Sequence, residues 1–206
     1  MSASRTPILW ERCAPDDPTR IDLQWAARRL TALRDAGVEP IVTLLHHGSG
    51  PTYTDLLDPR FPGLFADYAE AVARAFPWVR RWTPINEPLT TSRFSTLYGV
   101  WYPNLRDDRA FGRAMLHQTL AQQQAMARIR AIVPDAQLVL TEDLQRFTAA
   151  DDDVRRYVDF LRERMYLSVE LLAGRVDRTH PLHEFLREPC GLTNAELDAM
   201  RVGAAA

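Results

Sequence analysis

The stretch Arg81-Trp82-Thr83-Pro84-Ile85-Asn86-Glu87-Pro88 decides how the rest of the chain is read. Trp82 and Ile85, with Val79 just before, give it the apolar bulk of a short buried strand. Pro88, which has no N–H to donate, stops the ladder. A carboxylate at the end of a strand lies where an α/β fold opens to ligand. Asn86 and Glu87 then read as a hydrogen-bonding amide beside a proton donor. The same three residues also suit a plain strand-to-turn junction, so the flanking pattern has to choose between the two.

Working outward, apolar strands alternate with helical periodicity. Upstream, residues 40–45 form a continuous apolar run with β-branched members, expected as a strand buried on both faces, ending in His46-His47-Gly48. Residues 6–10 are expected as an earlier strand, with Glu11 and Arg12 at its end. Apolar spacing predicts helices over 23–36, with Asp22 as N-cap and Gly37 as the stop, and over 64–76. Downstream, 89–103 reads as a long aromatic-rich loop, either a packed Ω-like loop or a platform for a sugar. A long helix is expected over 108–132, a fourth strand over 137–141 ending in Glu142-Asp143, and one long helix over 154–172. Thr193 to Glu196 carries a capping-box signal for a short final helix, offset by one residue. Four strand–helix units imply a parallel sheet with helical crossovers. They amount to half of an eight-stranded barrel, whose usual length is roughly 250 residues. The first strand–helix junction lacks the glycine fingerprint of a dinucleotide site.

Composition narrows the partners. The chain has 206 residues, 46% hydrophobic and 25% charged, which fits a single domain over 1–206 with a real core. A formal net charge of −2 gives no electrostatic reason to expect nucleic acid or an anionic membrane. All 25 Lys+Arg residues are arginine. Cys13 and Cys190 match no metal spacing and read as reduced thiols. With no apolar leader or membrane-length run, a cytoplasmic location is expected. His46 and His47, adjacent on a strand, would point to opposite faces and chelate poorly. His180 and His183 read as surface residues, and Glu142 and Asp143 as loop or helix-start acids.

Taken together, the strand ends resemble glycoside hydrolase family 1, the β-glucosidase and β-galactosidase family with a (β/α)8 barrel. The motifs are Arg5-x-x-Ile8-x-Trp10-x-Arg12, Thr43-Leu44-x-His46 and Trp82-x-x-x-Asn86-Glu87-Pro88, in the family's order. Ala36-Gly37-Val38-Glu39-Pro40 and Tyr98-Gly99-x-x-x-Pro103 extend the match. The resemblance implies a partial TIM barrel, strands two to five, and the retaining hydrolysis of β-glycosides in carbohydrate metabolism. It implies Glu87 as general acid/base, Asn86 on a sugar 2-hydroxyl and His46 on a glycone hydroxyl. Arg5 would lie beneath the carboxylates, and Trp82, like Trp10, would be barrel packing or a subsite wall. A small carbohydrate or glycoside is the implied ligand, with no cofactor and no metal.

The chain also departs from that pattern. His47 and Gly48 stand where the family has an aromatic and an aspartate, which bears on the sugar preference. The Ile/Thr-Glu-Asn-Gly nucleophile motif does not occur in the sequence, so this polypeptide is expected to be inactive alone. Its open sheet edges are expected to favour self-association or a second half of the barrel. The alternatives are a non-catalytic sugar-binding or interaction module, or a truncated gene product. The segments 89–94 and 98–103 resemble a divergent branch in which such a module is joined to a sugar-nucleotide reductase-like module. Nothing of a reductase module occurs in these 206 residues.

Overall fold

A computed structural model describes residues 2–203, and in it four parallel strands lie side by side in chain order. They are β1 (Ser2–Pro7), β2 (Val38–His46), β3 (Arg81–Asn86) and β4 (Gln137–Leu138). Rungs run straight across the sheet: Arg5 faces Ile41, Ile41 faces Arg81, and Arg81 faces Gln137. The chain divides into two compact units. The first holds the sheet, through Glu87 together with Leu120–Thr141, and the second holds Pro88–Thr119 and the residues from Glu142 on.

In the first unit, the opening strand lies earlier than expected. The run 8–10 leaves the sheet: Ile8 N–H still reaches Thr43 O at 2.8 Å, but Cys13 N–H then turns back to Leu9 O. That turn is α1 (Trp10–Cys13). The apolar residues there are buried by packing, with Ile8 and Trp10 at 0% and 1% exposure. The true edge strand is polar and half solvated, which gave it little apolar signal. Helix α2 (Gln24–Asp35) begins where Asp22 Oδ1 accepts Gln24 N–H at 2.9 Å, and it stops before Gly37 at φ +67°. Helix α3 (Phe61–Ala75) starts three residues before the apolar periodicity, with a proline in its first turn. It buries Phe61, Phe65, Tyr68, Ala69 and Val72. Trp10 is the hub of this core, with ring contacts to Tyr53, Phe61, Phe65 and Tyr68. Tyr68 donates its hydroxyl to Ile8 O at 2.8 Å. Pro84 costs β3 one rung, and pairing resumes at Leu45 opposite Ile85.

The fourth strand is shorter than the expected 137–141, although the chain stays alongside β3. Val139 N–H reaches Trp82 O at 2.7 Å, and Glu87 N–H reaches Thr141 O at 3.2 Å.

In the second unit, the expected 89–103 loop is largely ordered as α4 (Pro88–Ser92) and a π-helical turn, Arg93–Leu97. Thr90, Thr91, Ser92, Ser95 and Thr96 are buried. Such hydroxyls carry no apolar periodicity, so the sequence hid these turns. Gln118 Nε2 ties them down by donating to Ser92 Oγ at 2.7 Å and Pro88 O at 3.2 Å. Helix α5 (Asp108–Ile132) matches its expected span. The expected 154–172 helix breaks at Tyr166 into α6 (Arg155–Met165) and α7 (Leu167–Leu172). Two more helices follow, α8 (His183–Arg187) and α9 (Asn194–Gly203), of which the sequence reading missed α8. The capping box of α9 is complete, without the offset. Thr193 N–H reaches Glu196 Oε2 at 2.7 Å, and Glu196 N–H reaches Thr193 Oγ1 at 3.2 Å. No helix among the described residues is long and apolar enough to cross a membrane.

Arg113 grips Glu196 with both guanidinium arms and, with the Thr193 bonds, holds its carboxyl down at about 2. A depressed carboxylate adds stability above the ordinary range near 4.5, and that stability is lost as the pH falls toward 2. Glu196→Gln is therefore expected to cost about 1 kcal/mol at pH 7 and close to nothing near pH 2, read from urea unfolding. An equal cost at both pH values would contradict the assignment.

Candidate functional site

Two strand ends meet here. His46 closes β2 and Asn86 closes β3, and the register sets them opposite each other. The next residue of each chain, His47 at φ +58° and Glu87 at φ +45°, turns into the left-handed region. Non-glycine residues there cost of order 1–3 kcal/mol each and cluster at functional sites. Two such residues on neighbouring strand ends are the backbone mark of this place in the fold.

Asn86 is fully buried and sits at the centre of a polar web. Its Oδ1 accepts from Arg5 Nη1 at 2.5 Å and from Thr141 Oγ1 at 3.1 Å. Its Nδ2 lies 3.2 Å from His47 Nε2. His47 Nε2 is also 3.8 Å from Glu87 Oε2, and both of these side chains are about a quarter exposed. The rings of His46 and His47 meet edge-on at 4.5 Å. Burial holds both imidazoles below the ordinary histidine range. Arg5 adds to this at His46, and the neighbouring His46 and then Arg5 add to it at His47. Glu87 opposes the shift at both.

Arg5, Asn86 and Glu87 are thus joined in one web, with His46 alongside. His47, read from sequence only as a departure from the motif, and Thr141 are not among the expected site residues. His47 makes the side-chain contacts to Asn86 and Glu87, and Thr141 closes the web from beside β3. The signals were present: a histidine where the motif has an aromatic, and a hydroxyl at the end of the fourth strand.

Trp82 stands apart. It is fully buried and donates its indole N–H to Val79 O at 3.1 Å. Of the two expected roles, this burial and the bond to Val79 fit packing. Trp10, buried as well, is core. Glu11 is a third residue outside the expected site. Burial pushes its carboxyl up, against its own backbone N–H and Arg12. A Cβ on Gly48 would stand only 2.5 Å from its Oε1, so the missing side chain at Gly48 makes room for this carboxylate.

In the second unit, Glu142 lies in a loop and accepts Leu89 N–H, in the first turn of α4, at 2.9 Å. Phe94 stacks on Trp101 at 4.8 Å and meets Tyr98 edge-on, so these three rings pack together, while Val100 and Tyr102 of the same stretch are exposed. His180 Nδ1 accepts Leu182 N–H at 3.1 Å. Among the described residues, no group of three or more His, Cys, Asp or Glu could hold a metal ion.

The sequence profile described as "Glycosyl hydrolase family 1" matches residues 1–171. A 6-phospho-beta-glucosidase of Dickeya chrysanthemi is 27% identical over 198 residues, covering 89% of this chain and 42% of that protein. Klotho of Mus musculus is 30% identical over 125 residues, 56% of this chain and 12% of that protein. The family 1 β-glucosidase of Thermotoga maritima, in complex with isofagomine lactam, superposes with a TM-score of 0.86 at 25% identity. That match covers 100% of this chain and 48% of the other. The same enzyme with deoxynojirimycin gives 0.85 at 24% identity. The chain therefore spans about half the length of these solved β-glucosidases, and its four parallel strands with their helices match part of a TIM barrel.

Proposed function

The chain belongs to glycosyl hydrolase family 1, and from that premise we propose that its strand ends form the saccharide-binding half of a retaining β-glycosidase site. In this reading Glu87 is the acid/base. It would protonate the leaving glycosidic oxygen and later take a proton from water. Arg5, Thr141 and His47 keep the Asn86 amide from rotating, and in this reading its second Nδ2 hydrogen would go to a sugar hydroxyl. His46, exposed at the end of β2, is the further hydroxyl partner. The observation that carries the reading is the Arg5–Asn86–His47 web with Glu87 at its rim.

Retention needs a second carboxylate about 5–5.5 Å from the first, to form the glycosyl-enzyme bond. The sequence has no Glu-Asn-Gly to supply it. The polypeptide alone is therefore expected to bind a β-glycoside without cleaving it. With 4-nitrophenyl β-glucoside, release of nitrophenol should stay at the buffer rate. Turnover that disappears in Glu87→Gln would refute the non-cleaving part of the proposal.

The interaction reading rests on the sheet edge. At the end of β1, a cavity of about 440 Å³ is lined by Pro7, Leu9, Arg12, Cys13, Asp22 and Trp25, and Trp25 is 55% exposed. Strands with unpaired edges recruit further chain. Light scattering after size exclusion is expected to give a mass above 23.5 kDa that rises with loading concentration. A constant monomer mass over a hundredfold range would argue against it.

A further inference from the structure

The web around Asn86 has a direction. Arginine can only donate hydrogen bonds, so the 2.5 Å contact from Arg5 Nη1 fixes which end of the Asn86 amide is oxygen. The opposite end, Nδ2, is then a donor, and it points at His47 Nε2, 3.2 Å away. An N–H facing an N–H makes no bond, so Nε2 accepts and the ring proton sits on Nδ1. The same Nε2 lies 3.8 Å from Glu87 Oε2. A proton arriving on Nε2 ends its bond with Asn86 and gives it a donor aimed at the carboxylate.

We propose that His47 is the positioning residue of this site, a two-way partner that holds Asn86 when neutral and turns to Glu87 when protonated, in a polarity relay set by Arg5. The inference rests on the saccharide reading only for what the relay does to a ligand; the relay itself stands on the hydrogen-bond geometry. His47 occupies the place where the related motif carries an aromatic, which could accept or give up no such proton.

The charged and titratable groups around the ring come from several elements. Arg5 reaches it from β1, His46 from the end of β2 and Glu87 from the end of β3. Glu11 of α1 stands beside Gly48, one residue beyond His47. Burial, His46 and Arg5 favour the neutral ring, and Glu87 favours the charged one. The Asn86-bound state is accordingly the one present at neutral pH, and the exchange comes below the ordinary histidine range.

The test is long-range ¹⁵N–¹H correlation of the imidazole rings in the full chain, with His47→Gln to assign its signals. At neutral pH the His47 pattern is expected to be that of the Nδ1–H tautomer. Asn86→Ala removes the partner of the neutral ring and should raise the His47 titration midpoint by about half a unit or more. Glu87→Gln removes the partner of the charged ring and should lower it by a similar amount. If Asn86→Ala does not fold, Asn86→Asp keeps the shape, replaces the donor by a carboxylate oxygen and should raise the midpoint further. An Nε2–H tautomer at neutral pH overturns the proposal. So do midpoints that move in the same direction in the two variants, or do not move. An imidazole that engaged neither group would give no such opposed pair. In wild type, affinity for methyl β-glucoside should fall severalfold as the pH drops through the His47 midpoint; constant affinity through that point overturns the proposed action on the ligand. A folded chain that binds no saccharide at any pH overturns the saccharide reading, while the tautomer and the opposed midpoints still decide the relay.

Discussion

Trp10→Ala is expected to destabilise the sheet-bearing unit by about 3–5 kcal/mol, the range for removing a large aromatic from a core. Trp10 is 1% exposed, and its ring meets four aromatic neighbours. Each aromatic pair contributes about 0.5–1.5 kcal/mol beyond the area it buries. Three of the partners, Phe61, Phe65 and Tyr68, sit on α3. The truncation therefore opens a cavity between that helix and the turn that follows β1. α1 carries Glu11, so the loss reaches the edge of the candidate site. Urea unfolding followed by circular dichroism measures it. A shift below about 1 kcal/mol would mean that Trp10 is not the hub that its burial describes.

Asn86→Ala is expected to act on stability and on ligand together. The side chain is fully buried and engages Arg5, Thr141 and His47 at once. Removing it takes a partner from a guanidinium, a hydroxyl and a ring nitrogen. Arg5 is exposed and His47 and Thr141 are half-buried, so water replaces part of what is lost, and the expected cost is about 1 kcal/mol. Saccharide affinity should fall by more than about tenfold, or 1.4 kcal/mol, because the amide that would face the sugar is gone. Asn86→Asp should retain more stability than alanine, since its carboxylate still receives Arg5 and Thr141. If alanine and aspartate variants bind a β-glycoside like wild type, Asn86 does not touch the sugar.

The sequence was legible where burial and periodicity coincide. Val42 to Leu45, buried throughout, read as a two-faced strand, and α5 was bounded correctly because Asp108 opens it and Pro134 follows it. It was less legible where polar residues do structural work. Ser2 to Arg5 lack an apolar signal because β1 pairs only with β2 among the described residues. The buried hydroxyls of α4 and the π-turn imitate a loop. Asn86, Glu87, His46 and Arg5 could be named only through the resemblance of the strand-end motifs to the family. That His47 rather than His46 bonds Asn86 could not, because simple strand alternation sends adjacent side chains to opposite faces. The turn of His47 to φ +58° ends the strand and breaks that rule. Glu11 was hidden for a related reason, since its place depends on the space left at Gly48.

The central claim is that Asn86, Glu87 and His46 together receive one sugar, which this polypeptide holds without breaking. Calorimetric titration of the folded wild-type chain with methyl β-glucoside, with the mixture then assayed for free glucose, tests it most directly. Saturable one-to-one binding with the glycoside recovered intact is the expected result. A chain shown to be folded that gives no heat of binding, or that releases glucose, would contradict it.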